Sequence, residues 1–295
     1  MRIVNQLWFV STHPLKRDDK LRAVLGYLRW LVGIRLLGGE HVYEWVNGSR
    51  LLVRQGEAIS ANVYTGIEEF ADMGYLLHVL RKDDLFVDVG ANAGAYTVLA
   101  CAAVGARGHA FEPVPATYQR LLQNLHLNHL EGWVVGHNIG LGSAPGRAAF
   151  TTAQGSTNHV LAVGEPSALA IEVEMSTLDH ALAEEAPSVL KIDVEGYETP
   201  VLQGAGETLK KKSLHSVILE LDGSGSRYGY REDSALALMQ DHGFRPYTYE
   251  PLTRTLIPLH GKHSRSRNTL FIRGVGEVAE RLRAAPPVTI QGRRF

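Results

Sequence analysis

The stretch "LFVDVGANAGAYTVLA", residues 85–100, constrains the fold more than any other part of the chain. An apolar run reaches Asp88, a turn of glycine, alanine and asparagine follows, and a second apolar run begins. This pattern reads as a buried strand, a tight turn and a helix. A strand with so few polar positions needs cover on both faces. The cover is found downstream. Strand-like runs at 85–89, 109–112, 133–138, 188–193 and 216–222 alternate with helical stretches near 94–104, 116–128, 198–211 and 232–242. The alternation predicts βαβ units and an α/β fold with a doubly wound, Rossmann-like parallel sheet.

Two segments interrupt it. "RAAFTTA" and "AIEVEMS", within 147–175, predict an inserted β-hairpin. "RPYTYE" and "NTLFIR" predict an antiparallel pair joined by a long polar loop. Upstream, residues 15–37 predict a helix, with Leu21, Val24, Leu25, Leu28, Leu31 and Val32 at helical spacing. Residues 41–64 predict short antiparallel strands with turns at Asn47-Gly48 and Gln55-Gly56. Thr65 and Glu68 have capping-box spacing before a helix that aligns Ile67, Phe70, Met73, Leu77 and Leu80.

The chain of 295 residues carries a formal net charge of −1, which argues against an electrostatic nucleic-acid partner. The one cysteine, Cys101, excludes an internal disulfide and a Cys-rich metal cluster, and reads as a small core residue. With no recognisable signal peptide, the expected location is cytoplasmic. No stretch reads as an integral membrane segment. The 15–37 helix is basic through Lys16, Arg17, Lys20, Arg22, Arg29 and Arg35. The expectation is a helix packed on its own domain, without stable membrane anchoring, because charges interrupt every apolar run. A homo-oligomer stays open.

In an open α/β sheet, ligands sit beyond the carboxyl ends of the strands, which puts residues 88–95 at the site. A phosphate-binding P-loop would need Lys followed by Ser or Thr at the helix start, and "GAYTV" has neither in place. A dinucleotide turn would need glycine at 92 and 95, where Asn92 and Ala95 stand. A phosphate-free nucleoside with a cationic centre, S-adenosylmethionine, needs neither. Asp88 could accept from its ammonium, the turn amides could meet its carboxylate, and Glu112 could accept from the ribose hydroxyls.

Beyond this, "FVDVGANAGAYTVLA", "HAFEPVPATYQRLLQNLHLN", "HNIGLGS", "LKIDVEGYETPVLQGA" and "VILELDG", in order, resemble successive motifs of the FkbM family of methyltransferases. "NVYTGIEEFADMGYLLHVLRKDD" resembles the segment preceding them, so the likeness spans about residues 55–275. It implies a class I methyltransferase sheet of seven strands with the last antiparallel, S-adenosylmethionine as cofactor, and most often O-methylation. The corresponding organisation is an N-terminal extension (1–80), a methyltransferase domain (81–275) and a C-terminal tail (276–295). Carried over by position, Asp88, Gly90, Ala91, Asn92, Gly94 and Tyr96 form the cofactor turn, Glu112 with Pro113 is the ribose-side acid, and Asn138 and Leu141 lie on the adenine side.

Candidate catalytic residues lie at the ends of two central strands. Lys191 and Asp193 are two apart, so both face one side of their strand. Lysine in a central parallel strand is unusual, as is Glu220 in the next. Two readings stay open. In one, Lys191 and Glu220 form a structural ion pair. In the other, Asp193, Glu195 and Glu220 surround the acceptor, with Asp193 as base. A divalent metal on Asp193, Glu220 and Asp222 is admissible but not favoured. The acceptor reads as a small molecule or glycan bearing a hydroxyl. The alternatives are an N- or carboxyl-methyltransferase, or a protein that binds the cofactor without catalysis. "QGSTNH" (154–159), "GSGSRYGY" (223–230) and "PLHGKHSRSRN" (258–268) are candidates for the pocket rim. Lys262, Arg265 and Arg267 in the last would suit an acidic acceptor.

Overall fold

The structure, a computed structural model, describes residues 2–166 and 169–295. Met1, in the expected extension, and Ser167 and Ala168, in the expected hairpin insertion, lie outside the described residues. Two helices come first, α1 (Arg2–Thr12) and α2 (Lys20–Leu37). The expected 15–37 helix starts late because Asp19 caps it, accepting from the Arg22 amide at 3.0 Å. Its apolar positions do not form one core face. Ala23, Tyr27 and Ile34 are buried, while Leu21, Leu25, Leu28 and Val32 are exposed.

β1 (Glu40–Glu44) and β2 (Arg50–Arg54) form the expected antiparallel ribbon. α3 (Ala61–Thr65) follows, and the capping box does not form. The Thr65 hydroxyl instead donates back to the Ala61 carbonyl at 2.6 Å, inside the turn it was expected to precede. α4 (Phe70–Val79) starts five residues later and is buried nearly all round.

The main sheet begins with β3 (Leu85–Val89), β4 (Arg107–Phe111) and β5 (Val134–His137), connected by α5 (Ala95–Val98), which runs into a π turn at Leu99–Val104, and by α6 (Pro115–Leu127). β6 (Gly140–Leu141), β7 (Gly146–Thr151) and β8 (Ala170–Ser176) form a separate small sheet in which β7 and β8 are the inserted hairpin. After α7 (Leu178–Ala181) the main sheet resumes with β9 (Val189–Ile192), β10 (Ser216–Glu220), β11 (Arg245–Glu250), β12 (Thr255–Pro258) and β13 (Asn268–Ile272). The order is β12-β11-β13-β10-β9-β3-β4-β5. β13, the last, runs antiparallel between β10 and β11. Seven strands match the expected sheet. The eighth, β12, is an edge strand that folds back on β11 inside the segment read as loop. It is short and almost wholly exposed, so it carries little apolar signal.

The expected helix at 198–211 is two, α8 (Glu198–Gln203) and α9 (Gly206–Lys210), broken at Gly204. A Cβ on Gly204 would lie 2.1 Å from the Gly142 carbonyl oxygen, so only glycine lets the two backbones meet. α10 (Glu232–Asp241) and α11 (Val275–Ala284) complete the helices. All residues of β3, β9, β10 and β13 are buried.

The terminal segments are tied into this core. Arg120 on α6 donates to both carboxylate oxygens of Glu57, at 2.8 and 3.0 Å, and to Glu40 at 3.0 Å. In the C-terminal segment Arg281 holds Asp84 at 2.7 Å and Phe295 packs edge-on to Phe70. No helix among the described residues is long and apolar enough to cross a membrane. Arg120 is buried, and removing it takes the guanidinium from Glu57, while Glu40 keeps its pair with Arg54. Arg120→Leu should cost about 2–4 kcal/mol in urea unfolding. An unchanged midpoint would mean that apolar packing alone holds the extension.

Candidate functional site

The carboxyl ends of β3, β4 and β9 open onto one pocket, lined among others by Asp88, Gly90, Ala91, Asn92, Tyr96, Glu112, Pro113, Leu141, Lys191, Asp193 and Glu195. Sequence reasoning had placed all of these at the site. Gly90, Asn92 and Gly94 take positive φ (81°, 50° and 90°). A Cβ on Gly90 would lie 1.8 Å from the Asp193 carbonyl oxygen. Gly94 packs on Leu121 rather than on the pocket. Asn138 also stands outside it, donating to the Glu112 and Pro113 carbonyls at 2.9 and 3.0 Å.

The turn amides are not open to a ligand carboxylate, contrary to expectation. Gly90 and Ala91 donate to the Phe111 carbonyl, Asn92 to Glu112 Oε2 at 3.0 Å, Ala93 to Asn92 Oδ1, and Gly94 to the Ala91 carbonyl. The turn is satisfied by its own hydrogen bonds. What remains open is acidic. Thr97 Oγ1 donates to Asp88 Oδ2 at 2.6 Å, and Asp88 Oδ1 is buried with no donor among the described residues. Among the described residues, six carboxyl groups line the pocket (Glu68, Glu69, Asp88, Glu112, Asp193 and Glu195) against two cations, Lys191 and Arg267. An acid-rich pocket with a buried, unpartnered carboxylate oxygen fits S-adenosylmethionine, whose sulfonium and ammonium are both positive.

Lys191 does not pair with Glu220. Its Nζ donates to Asp193 Oδ2 at 2.7 Å and stands 4.6 Å from the Tyr96 ring centre. The register explains this: Ile218 and Leu219 of β10 lie beside Lys191 and Ile192, so Glu220 comes level with Asp193. Burial opposes the charge on Lys191, but Asp193, Asp88 and Glu69 outweigh it and raise the pKa. Asp193 is held below the usual carboxylate range: burial would raise it, and Lys191, a hydrogen bond from Glu220 and Arg267 pull it down. Glu220 is pushed up to about 10 by burial and by Asp193. Glu220 Oε2 accepts from no protein donor. A proton on the Glu220 carboxyl, donated to Asp193, satisfies both groups.

The acid cluster encloses an arginine. Asp193, Glu195 and Glu220 place carboxylate oxygens within 4.8 Å of one another. Arg267 Nη2 lies 2.7 Å from Glu220, 2.9 Å from Asp222 and 3.3 Å from Glu195. Asp222, a metal candidate by sequence, instead accepts from Ser224 and Arg267. A guanidinium thus stands among these acids, so the metal set that was admissible but not favoured does not fit them as they are arranged. Arg267 is half-exposed and is shared among Glu195, Glu220 and Asp222. Lys262 is likewise engaged, with Glu232 at 2.6 Å, so two of the three cations that would suit an acidic acceptor are already paired.

Of the expected rim segments, 154–159 reaches the pocket through Gly155, Ser156 and Asn158, and 258–268 through Arg267. Segment 223–230 only supports it: the Tyr228 hydroxyl donates to the Val160 carbonyl and Arg227 to the Glu195 carbonyl. Sequence reasoning missed Glu68, Glu69, Asp72 and Asn268. Asn268 donates to Glu69 at 2.9 Å and Asp72 at 3.2 Å, and the Tyr96 hydroxyl donates to Glu69 at 2.6 Å. It also missed Glu198, which accepts from the Val194 and Gly196 amides and fixes the loop after β9. Its signal was the second glutamate of "EGYE".

The Methyltransferase FkbM domain model matches residues 88–246, more than half of the chain. No curated protein matches significantly. Among solved structures, the precorrin-6y C5,15-methyltransferase of Geobacter metallireducens GS-15 is similar at 12% identity, over 70% of this chain and 87% of that one, with a TM-score of 0.40. An rRNA methylase of Streptococcus thermophilus is similar at 14% identity, over 68% and 91%, with a TM-score of 0.38. Streptococcus pneumoniae Sp1610, put forward as a tRNA (m1A22) methyltransferase and solved in complex with S-adenosyl-L-methionine, is similar at 14% identity, over 68% and 70%, with a TM-score of 0.38. Likeness at this level carries nothing about the substrate.

The buried acids give the protein a pH signature. Burial, chiefly, pushes Glu68 up to about 8 and Asp72, Glu112 and Glu198 up to about 7. Each binds more protons folded than unfolded, so stability falls as pH rises through these values. His13, His78, His137 and His215, lowered to about 4 by burial, act in the opposite sense, but chiefly below their unfolded value of 6.5. Between about pH 6.5 and 8 the histidine contribution fades and the acids dominate. The melting temperature of the ligand-free protein should fall across that window, and Glu68→Gln should flatten the fall. A rise over the same window would contradict this electrostatic picture.

Proposed function

Because the chain belongs to the FkbM methyltransferase family, with S-adenosylmethionine as its methyl donor, we propose that it methylates a hydroxyl group on a sugar, a glycan or a secondary metabolite. The observation that carries the reading is the Asp193 carboxyl, held by Lys191 at 2.7 Å in the pocket lining just after β9. When bound, the cofactor supplies a methyl group made electrophilic by its positive sulfur. Asp88 and Glu112 would hold the cofactor's ammonium and ribose hydroxyls. The chain's part in the reaction is to orient the acceptor oxygen and to take its proton. As the carbon–oxygen bond forms and the carbon–sulfur bond breaks, the hydroxyl proton passes to Asp193.

A low pKa does not disqualify Asp193 from this role. A hydroxyl oxygen that is gaining a methyl group becomes strongly acidic, so a weak base suffices. It also favours the ionised form of the group before the acceptor arrives. The protonated Glu220 beside it keeps two adjacent carboxyls from both being charged. A carboxylate acceptor would have to enter among the lining acids, with Arg267 already engaged by three of its neighbours. A neutral polyhydroxyl compound meets no such repulsion. We therefore favour a small neutral acceptor over nucleic acid and over the acidic sugars, with activity in the cytoplasm.

Asp193→Asn should leave S-adenosylhomocysteine binding intact and lower single-turnover methyl transfer by about 10²–10⁴-fold. Asparagine keeps the shape and cannot accept the proton. Wild-type turnover in this variant would leave positioning alone as the source of rate. EDTA should leave wild-type turnover unchanged, because Arg267 occupies the acid cluster. Loss of activity restored by Mg²⁺ would reverse that assignment.

A further inference from the structure

The exposed apolar residues of α2 form a pattern. Leu21, Leu25, Leu28, Val32 and Leu36 recur at spacings of four, three, four and four, which is one stripe of a helix. They are 71%, 50%, 38%, 55% and 80% exposed. The opposite face carries Ala23, Tyr27 and Ile34, all buried, and Tyr27 meets Tyr64 edge-on at 4.9 Å. The fold therefore uses one side of α2 and leaves the other open. On the adjoining α1, Val4 and Trp8 are exposed as well.

The charges border this stripe. Arg22 and Arg29 follow Leu21 and Leu28 by one position, and Lys20 and Arg35 precede Leu21 and Leu36. At 100° per residue, Arg22 and Arg29 fall along one edge and Arg35 along the opposite edge, with Lys20 farther round the helix. All four are exposed. Residues 16–37 hold six basic and two acidic side chains in a chain whose net charge is −1. Read along the sequence, the charges interrupt every apolar run, which is why no anchoring was expected. On the helix surface they do not interrupt the stripe.

We propose that this face of α2 docks the protein on an anionic lipid bilayer, with the helix lying in the headgroup region, leucines inward and arginines at the phosphates. Two features argue for lipid over a second copy of the chain. A twofold interface would set the arginine borders against each other. A bilayer meets both borders with negative charge. α2 packs on α3, whose Asn62 lines the cofactor pocket, so docking holds the pocket within one short helix of the surface. The inference goes beyond the methyl-transfer reading and does not rest on it.

The test is co-sedimentation of the full chain with vesicles of phosphatidylcholine alone or with about 30% phosphatidylserine, at about 0.15 M salt. Binding is expected only to the anionic vesicles. Leu25→Glu with Val32→Glu should weaken it about tenfold or more, as should Arg22→Glu with Arg29→Glu. These positions are exposed, so circular dichroism and melting should match the wild type. Wild-type protein left in the supernatant with both vesicles would overturn the proposal. So would equal binding by both folded variants. A dimer that the stripe substitutions dissolve, with no vesicle binding, would assign the face to a second copy instead.

Discussion

The site depends on how closely one glycine approaches one carbonyl. Gly90 leaves β3 in a left-handed conformation and lies so near the Asp193 backbone that a single added carbon would overlap it. β3 and β9 are direct neighbours in the sheet, and this contact brings the loops at their ends together. The donor turn and the acid loop therefore form one structure. Asp88, Lys191 and Asp193 share a pocket because their strands end at the same level, with Asp88 paired to Lys191 in the register.

Around that contact the charges are balanced internally. Lys191 neutralises Asp193, Arg267 draws together Glu195, Glu220 and Asp222, and Asn268 holds Glu69 and Asp72. A proton kept on Glu220 removes the remaining repulsion beside Asp193. The lining stays acidic after these pairings, and that surplus is what a doubly cationic cofactor end would answer. Each buried charge here is costly to isolate and tolerable only in its group. The cluster is thus interdependent: removing one member changes the protonation of the others.

Much of the fold was legible because strands buried on both faces leave continuous apolar runs, as at Leu85–Val89 and Ser216–Glu220. The turn was legible because Gly90 and Gly94 need positive φ. What failed had physical causes. That Lys191 does not meet Glu220 depends on strand register, which a single strand's pattern does not carry, whereas its partner Asp193 shares its side of the same strand. The closure of the turn amides on Phe111, Glu112 and Asn92 arises from a neighbouring strand and from the turn itself. Glu69 and Asp72 lie more than a hundred residues from Lys191 in sequence, on a segment that only tertiary packing brings to the site. In α2 the apolar spacing was correctly seen, but spacing does not say which stripe faces inward.

The most direct test of this account is calorimetric binding of S-adenosylhomocysteine to Gly90→Ala, with thermal melting to establish that the variant is folded. The added methyl group must push the turn away from Asp193, an overpacking of about 1–3 kcal/mol at the site. Binding weakened by about tenfold or more in a folded protein is the expected result. Wild-type affinity in a folded Gly90→Ala variant would show that the donor site does not depend on the contact between the glycine turn and Asp193.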